Sequence, residues 1–142
     1  MSLVGVLDNT ATRAATLTGM KAAHSCAATT MPRSIDDWPV AIVWPDGGDM
    51  QAGNAESLLH HLELRIWVNA TDAAFALSTL MPFVERCRVL FRTDLDIGGE
   101  AVRLLMTGYG APEVETAHGK PFFVLPIGLE AFELRLVQDY AV

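Results

Sequence analysis

The sequence predicts a single α+β domain over residues 1–142, with a mixed, largely antiparallel sheet and an N-terminal helix and a central helix packed on it. Three observations lead to this prediction. Residues 62–68 alternate strictly between apolar and polar types, which is typical of a strand, and a helical period of apolar residues follows from about Ala73. The third observation is composition: 51% of the 142 residues are hydrophobic and 19% are charged, which indicates a packed globular chain.

The first stretch of the chain predicts a helix. Apolar and small residues recur at three- or four-residue spacing over residues 3–17, which is the period of one helix face. Ser2 can cap this helix because its hydroxyl can accept a hydrogen bond from a free backbone N–H, and Gly19 is placed to end it. We therefore expect a helix over about 2–18.

Two strands and a polar segment are predicted next. Residues 22–30 predict a weak strand of small residues, and the continuously apolar run 40–44 predicts a buried strand. Residues 46–56 contain three glycines. The polar residues of that segment include Asp49, Gln51 and Asn54. Its composition predicts a long loop or a flexible hairpin tip.

The segment 62–68 is the strongest strand in the sequence. Its even-numbered residues are all apolar and would share one face of a sheet. The odd-numbered residues, Glu63, Arg65 and Trp67, would share the other face. One side of this strand is therefore expected in the core.

A helix over about 73–91 is predicted after this strand, with Asp72 among its cap residues. The apolar face expected to pack on the sheet consists of Leu77, Leu80, Met81, Val84, Cys87, Arg88 and Phe91. Pro82 lies inside the helix. Because proline lacks the backbone N–H and crowds the preceding turn, we expect a kink near 78–81 or two shorter helices.

The last third of the chain predicts three strands. Gly98 and Gly99 mark a turn before a strand over 101–109, and 110–119 reads as a polar connection. Two further strands are expected over 122–126 and 129–137. Gly128 is expected to form a bend between them.

Charge and composition exclude some classes of function. The formal net charge is −7, and the ten basic residues are scattered, which argues against a protein that grips a phosphate backbone. No apolar run reaches the length of a spanning helix and residues 1–6 lack the layout of a secretion signal, so we expect a soluble protein made inside the cell, without a membrane partner. Cys26 and Cys87 are expected to be free, buried thiols.

Candidate catalytic or metal-binding groups do not form a recognisable pattern. His60 and His61 are neighbours on a strand, so they would point to opposite faces and could not bind one metal ion together. His24 and His118 are isolated, and no serine, threonine or cysteine has a histidine placed by sequence to activate it. Asp94 and Asp96 read as a solvated pair in a turn after the central helix. We therefore expect no catalytic residue, no metal and no cofactor.

The three tryptophans, Trp38, Trp44 and Trp67, are expected in the core by default. Trp67 is an exception worth weighing, because it lies on the polar face of its strand and tryptophan is enriched at the energetic centres of protein interfaces. Trp67 is therefore a candidate contact with another chain, and the sequence favours an interaction protein over an enzyme.

The order of these elements resembles the tail terminator family of long-tailed bacteriophages, also called tail completion or head-to-tail joining proteins. The resemblance lies in the layout of nearly the whole chain. The matching features are an opening helix before Gly19, a connection through Pro32, the strand at 40–45, the polar segment, the strand at 61–68, the helix led by Asp72, and the closing strands that end at about 109 and 137.

This resemblance implies an α+β subunit of a hexameric ring that caps the tail tube and joins it to the head connector. Subunits would pair through sheet edges, and the segment 46–56 would contact the tube or a neighbour, through Asp49, Met50, Gln51 and Asn54. The partners would be other copies of the chain, the tail tube protein and the head-tail connector. DNA would pass through an acidic lumen without specific binding. The protein would be assembled in the host cytoplasm and would lie in the neck of the virion.

Two other interpretations remain open from the sequence. One is a small α+β enzyme or ligand-binding domain with a pocket between the helix at Ala73 and the sheet, in which His24, His118, Asp94 and Asp96 would supply the polar groups. The other is a neighbouring head-tail connector subunit, such as a stopper or head-completion protein.

Overall fold

A computed structural model of the chain describes residues 3–32, 38–51, 55–69, 72–92, 94–97 and 100–136. Within these residues the elements follow one another as three helices and seven strands. They are α1 (Leu3–Ala14), β1 (Ala22–Ser25), β2 (Val40–Gln51), β3 (Ala55–Asn69), α2 (Ala73–Leu80), α3 (Pro82–Leu90), β4 (Asp94–Ile97), β5 (Glu100–Tyr109), β6 (Glu113–Ala117) and β7 (Lys120–Leu136).

The seven strands form one sheet in the order β1-β2-β3-β7-β5-β4, and β6 pairs with the first part of β7. β1 and β2 are parallel, and every other described pairing is antiparallel. The prediction of an α+β fold with a mixed, largely antiparallel sheet, an N-terminal helix and a central helix is confirmed.

The sheet has two different faces. One face, the helix-covered face, carries the even-numbered residues of β3 from Leu62 to Val68, as the alternation predicts, and these pack with the helices into the main core. The opposite face carries a smaller buried cluster. Its members are Val40, Ile42, Trp67, Ala117, Phe122 and Val124. Both faces of the central strands are therefore partly buried.

The first helix and strand are shorter than predicted. α1 ends at Ala14, and the chain reaches Gly19 through turns rather than through helix. Gly19 has a φ of 86°, so it closes that turn segment. β1 covers only Ala22–Ser25 of the predicted strand at 22–30, because the chain turns away after Ser25. Ser2, the expected cap, lies outside the described residues.

The central helix is divided at Pro82 into two shorter helices, one of the two outcomes predicted from the proline. Met81 is both the C-cap of α2 and the N-cap of α3, and Pro82 takes the first position of α3, where no N–H is needed. The predicted buried face was right at Leu80, Cys87 and Phe91 and wrong at the other positions, of which Val84 is half-buried. The residues that are buried are Ala76, Leu80, Phe83, Cys87 and Phe91, whereas Leu77, Met81 and Arg88 are exposed.

Of the two alternatives predicted for 46–56, the long loop was wrong over most of its length, whereas the hairpin agrees with the structure. β2 continues to Gln51 and pairs with β3 from Ser57 onward, so this segment is a β-hairpin whose tip, 52–54, lies outside the described residues. The register shifts between Pro45 and Gly48, where one extra residue of β2 forms a bulge. The proline and glycines that suggested the end of a strand therefore mark an irregularity within it.

The C-terminal part contains more strand than predicted. Asp94 and Asp96 belong to β4 rather than to a turn, and the expected polar connection at 110–119 contains β6. β7 runs without a break through Gly128, so no bend divides it. A Cβ at Gly128 would lie 2.9 Å from the side-chain Oγ1 of Thr107, so β5 approaches closely there and a larger residue would require that side chain to move. The predicted turn at Gly98 and Gly99 and residue Val137 lie outside the described residues.

Candidate interaction surface

The second half of β2 forms an exposed part of the hairpin that β2 and β3 make. We call residues 45–51 and the β3 residues paired with them, 57–62, the arm. All seven residues of 45–51 are exposed, and Met50 is 71% exposed. Three of the predicted contact residues, Asp49, Met50 and Gln51, therefore lie together on the surface. Asn54, the fourth, lies outside the described residues.

The outer edge of the arm carries features that restrict strand addition. β1 pairs with β2 only over Val40–Val43, so in the described chain no strand lies beside β2 from Trp44 onward. Pro45 lacks an N–H, the bulge follows it, and Asp46 and Asp49 add charge. These are the devices by which natural sheets prevent indiscriminate edge pairing. A partner of the arm is therefore expected to contact its side chains more than its backbone.

Trp67 does not share the exposure of the arm. It is 3% exposed and packs in the smaller core cluster, where its ring meets Phe122 edge-on at a centroid distance of 6.0 Å. The smaller core cluster covers this part of the opposite face, which the alternation pattern had marked as polar. The structure therefore removes Trp67 from the surface that a partner of the folded chain could contact.

Charged side chains connect the arm to the strands behind it. His61 Nε2 lies 3.2 Å from Asp49 Oδ2, and His61 Nδ1 lies 3.4 Å from Glu130 Oε1, so the ring joins β2 and β7 across β3. Further along the same face, Arg65 lies 4.9 Å above the ring of Trp44 and its Nε donates to Glu63 Oε1 at 2.8 Å. These contacts are partly exposed and orient the arm more than they stabilise it.

His60 faces the other side of the sheet, as predicted for neighbours on a strand. Its Nε2 lies 3.0 Å from Oε1 of Glu133, whose side chain is buried. Glu133 was not among the residues predicted from the sequence. A lone acidic residue among apolar neighbours at the end of β7 was the available signal, but its partner is 73 residues away in sequence.

The two adjacent histidines give a matched test of this buried contact. His60→Ala is expected to lower the free energy of unfolding by about 1–2 kcal/mol, because the buried Glu133 carboxylate loses one of its partners. His61→Ala is the control and is expected to cost less than about 1 kcal/mol, because its contacts are partly exposed. Urea unfolding at neutral pH measures both variants, and equal losses would contradict this account.

The residues proposed to supply the polar groups of a small-molecule site lie on different elements, and β1 and β4 are at opposite ends of the strand order. His24 lies on β1, and His118 lies in the turn between β6 and β7, where its ring contacts the carbonyl of Pro32. His118 has a φ of 54° and Gly119 a φ of 72°, as a tight two-residue hairpin turn requires. Asp94 and Asp96 are on β4, and their side chains lie outside the described residues. A surface groove lies elsewhere than the pocket expected between α2 and the sheet.

That groove, of about 370 Å³, lies between the turn after α1 and helix α3. Residues 16–18 form one wall, and Glu85, Arg86, Val89 and Leu90 form the other. Arg86 crosses between the walls: its Nη1 donates to the carbonyl of Thr18 at 3.0 Å, and its guanidinium lies over the ring of Phe83 at 5.0 Å. We call this feature the groove. The sequence gives no sign of the groove because its two walls come from elements that are about 70 residues apart.

Both cysteines are free thiols, as predicted. Cys87 is buried under α3, and burial raises its pKa to about 12, so the thiol stays protonated at neutral pH and is not a nucleophile there. Cys26 is half-buried rather than buried, since it lies where the chain leaves β1.

Among the described residues, no three histidine, cysteine, aspartate or glutamate side chains come together in an arrangement that could hold a metal ion. None of the described helices has the length and apolar character needed to cross a membrane.

No model of a protein family matches the chain, and no curated protein matches it.

Proposed function

We propose that this chain is a structural protein of a phage or phage-derived tail, which assembles into a ring at the end of the tail tube and joins the tube to the head connector. The observation that carries the proposal is the arm. Its β2 residues, 45–51, are all exposed, and they are paired with β3 in the central sheet. A paired strand that presents Met50 to solvent at 71% exposure is suited to contact another protein.

The layout of the chain supports the same proposal. The arm occupies the place of the polar segment at 46–56, for which the resemblance implies a contact with the tube or a neighbour. Helices and sheet follow one another in the order that the resemblance implies. Asp49, Met50 and Gln51 are the contact residues under this proposal, and Trp67 is no longer among them.

Charge supports a role beside passing DNA. The formal net charge of −7 gives a ring of copies an acidic character, and carboxylates repel a phosphate backbone. Under this proposal the lumen would let DNA pass without specific binding. The ring would be assembled in the host cytoplasm and would remain in the neck of the virion.

No described feature favours the reading as a small enzyme. Neither His24 nor His118 is among the described residues that line the groove, and Cys87 is a buried, protonated thiol. A neighbouring connector subunit could use the same exposed arm. The two functions are therefore distinguished by the binding partner, which is the tube end for the first proposal and the head connector for the second.

The proposal is tested with tail tubes assembled from the same gene cluster in the absence of this protein. Purified protein is added to the tubes, and negative-stain images are scored for density at the tube ends. The expected result is a ring at one end of each tube and termination of further tube growth. Binding to head connectors alone, with bare tube ends, would favour the connector reading instead.

A further inference from the structure

The charges of the chain are divided between two surfaces. Residues 45–62, which include the arm, contain Asp46, Asp49 and Glu56 and no lysine or arginine. Residues 82–92, which include α3, contain Arg86, Arg88 and Arg92 against one acid, Glu85. The segment 82–92 beside the groove therefore carries three arginines against one glutamate, a net charge of +2, and Glu85 binds Arg88 within it, whereas the arm itself carries Asp46 and Asp49 and no lysine or arginine.

The apolar character of the two surfaces also matches. The groove has the buried Leu17 and the half-buried Leu90 in its walls, and Val89 is 53% exposed at its border. The arm presents Met50, a long and flexible apolar side chain, between Asp49 and Gln51. Methionine adapts its shape to irregular apolar clefts. Each surface thus has an apolar centre beside charged residues, which are Asp46 and Asp49 on the arm and Glu85 and Arg86 in one wall of the groove.

We infer that the arm of one copy docks into the groove of the next copy, with Met50 against Leu17, Val89 and Leu90 and the arm carboxylates near the arginines of α3. This inference rests on the proposed self-association and specifies its contact. Arm and groove are different surfaces, so the contact is head-to-tail. A head-to-tail contact closes into a ring when its rotation closes, and it does not stop at a symmetric dimer.

One observation favours a second copy over other occupants of the groove, and another argues against direct pairing of two arms. The charge complementarity lies within this one sequence, so it is satisfied without any further protein. Pairing of two arms through their edges is disfavoured by Pro45, by the bulge and by the like charges of Asp46 and Asp49.

The inference is tested with Met50→Glu, which changes the arm, and Val89→Glu, which changes the groove. Val114→Glu is the matched control, because Val114 is 61% exposed on β6, outside both surfaces. Sedimentation at rising concentration is expected to show assemblies larger than dimers for the wild type and the control. Each of the other variants alone is expected to associate at least about tenfold more weakly, and wild-type assembly is expected to weaken with added salt.

A one-to-one mixture of Met50→Glu and Val89→Glu makes the sharpest distinction. The mixture holds one intact arm and one intact groove, so we expect it to form dimers and nothing larger. Variants that assemble as the wild type does would overturn the arm-and-groove contact, while capping of tubes by the wild type would leave the proposed function intact. If the wild type is monomeric in solution, the same comparison is made on tube ends, and there capping by either variant alone overturns the inference.

Discussion

Replacing Phe83 by alanine is expected to lower the free energy of unfolding by about 3–5 kcal/mol, the largest loss of any single change considered for this chain. Phe83 is fully buried in the main core, where α3 packs toward the sheet. Its ring also lies under the guanidinium of Arg86, which ties α3 to the turn after α1. The substitution therefore leaves a cavity and weakens one wall of the groove. Urea unfolding of dilute protein measures the loss.

Phe75→Ala is the control for this prediction. Phe75 lies on α2, the other half of the central helix, and is 61% exposed, so its truncation is expected to change stability by less than about 1 kcal/mol. Comparable losses for the two phenylalanines would mean that the assignment of buried and exposed faces on the central helix is wrong.

Gly48→Ala is expected to destabilise the arm strongly while the rest of the fold remains. A Cβ at this position would lie 2.7 Å from the backbone carbonyl oxygen of Leu59, and a backbone atom within a paired strand has little freedom to move away. We expect a loss of about 3 kcal/mol, or local opening of the arm if that is less costly. Hydrogen exchange is the direct measurement: amides of Asp49 and Leu59, which lie directly opposite each other in β2 and β3, should lose protection, and that of Leu125 in β7 should keep it.

Gly108→Ala is the matched control for the arm variant. Gly108 is also a strand glycine next to a register shift, in β5, but a Cβ there would meet no atom within 4 Å. Its substitution is expected to change stability by less than about 1 kcal/mol and to leave exchange in the arm unchanged. Loss of arm protection in both variants would show that the close contact at Gly48 is not its cause.

The sequence predicts the fold class because each long element has a clear period of its own. The alternation of 62–68 predicts the central strand and its buried face, and Pro82 predicts the division of the central helix. The face of that helix was misjudged because apolar residues occur all around α2: Phe75, Leu77 and Met81 are exposed although they resemble core residues in type. Periodicity defines a face only where the other side is polar.

The arm shows why local composition misleads about strands. Pro45 and the glycines that follow normally end a strand, yet pairing with β3 continues across them through a bulge. That pairing is with residues 6 (Gln51 and Ser57) to 17 (Pro45 and Leu62) positions away, which composition does not report. The same holds for β6, whose five residues are a strand only because β7 lies beside them.

The candidate surface was predictable in place and only partly in detail. Asp49, Met50 and Gln51 are exposed together because the segment around them is polar and glycine-rich, and this is visible in the sequence. Trp67 was misplaced, since the alternation of β3 marks its face as polar, whereas Phe122 and Val124 of the distant β7 bury it. The groove depends on the packing of the turn after α1 against α3, so no local pattern announces it.

The central claim is that this protein works as a self-assembled ring on a tail tube and carries out no chemical reaction. Cryo-electron microscopy of tail tubes, assembled without this protein and then mixed with the purified protein, tests it most directly. The account predicts a closed ring of copies at one tube end, with the β2–β3 arms at contacts between protein subunits. Tube ends without this protein, alongside a chain that stays monomeric at high concentration, would contradict it.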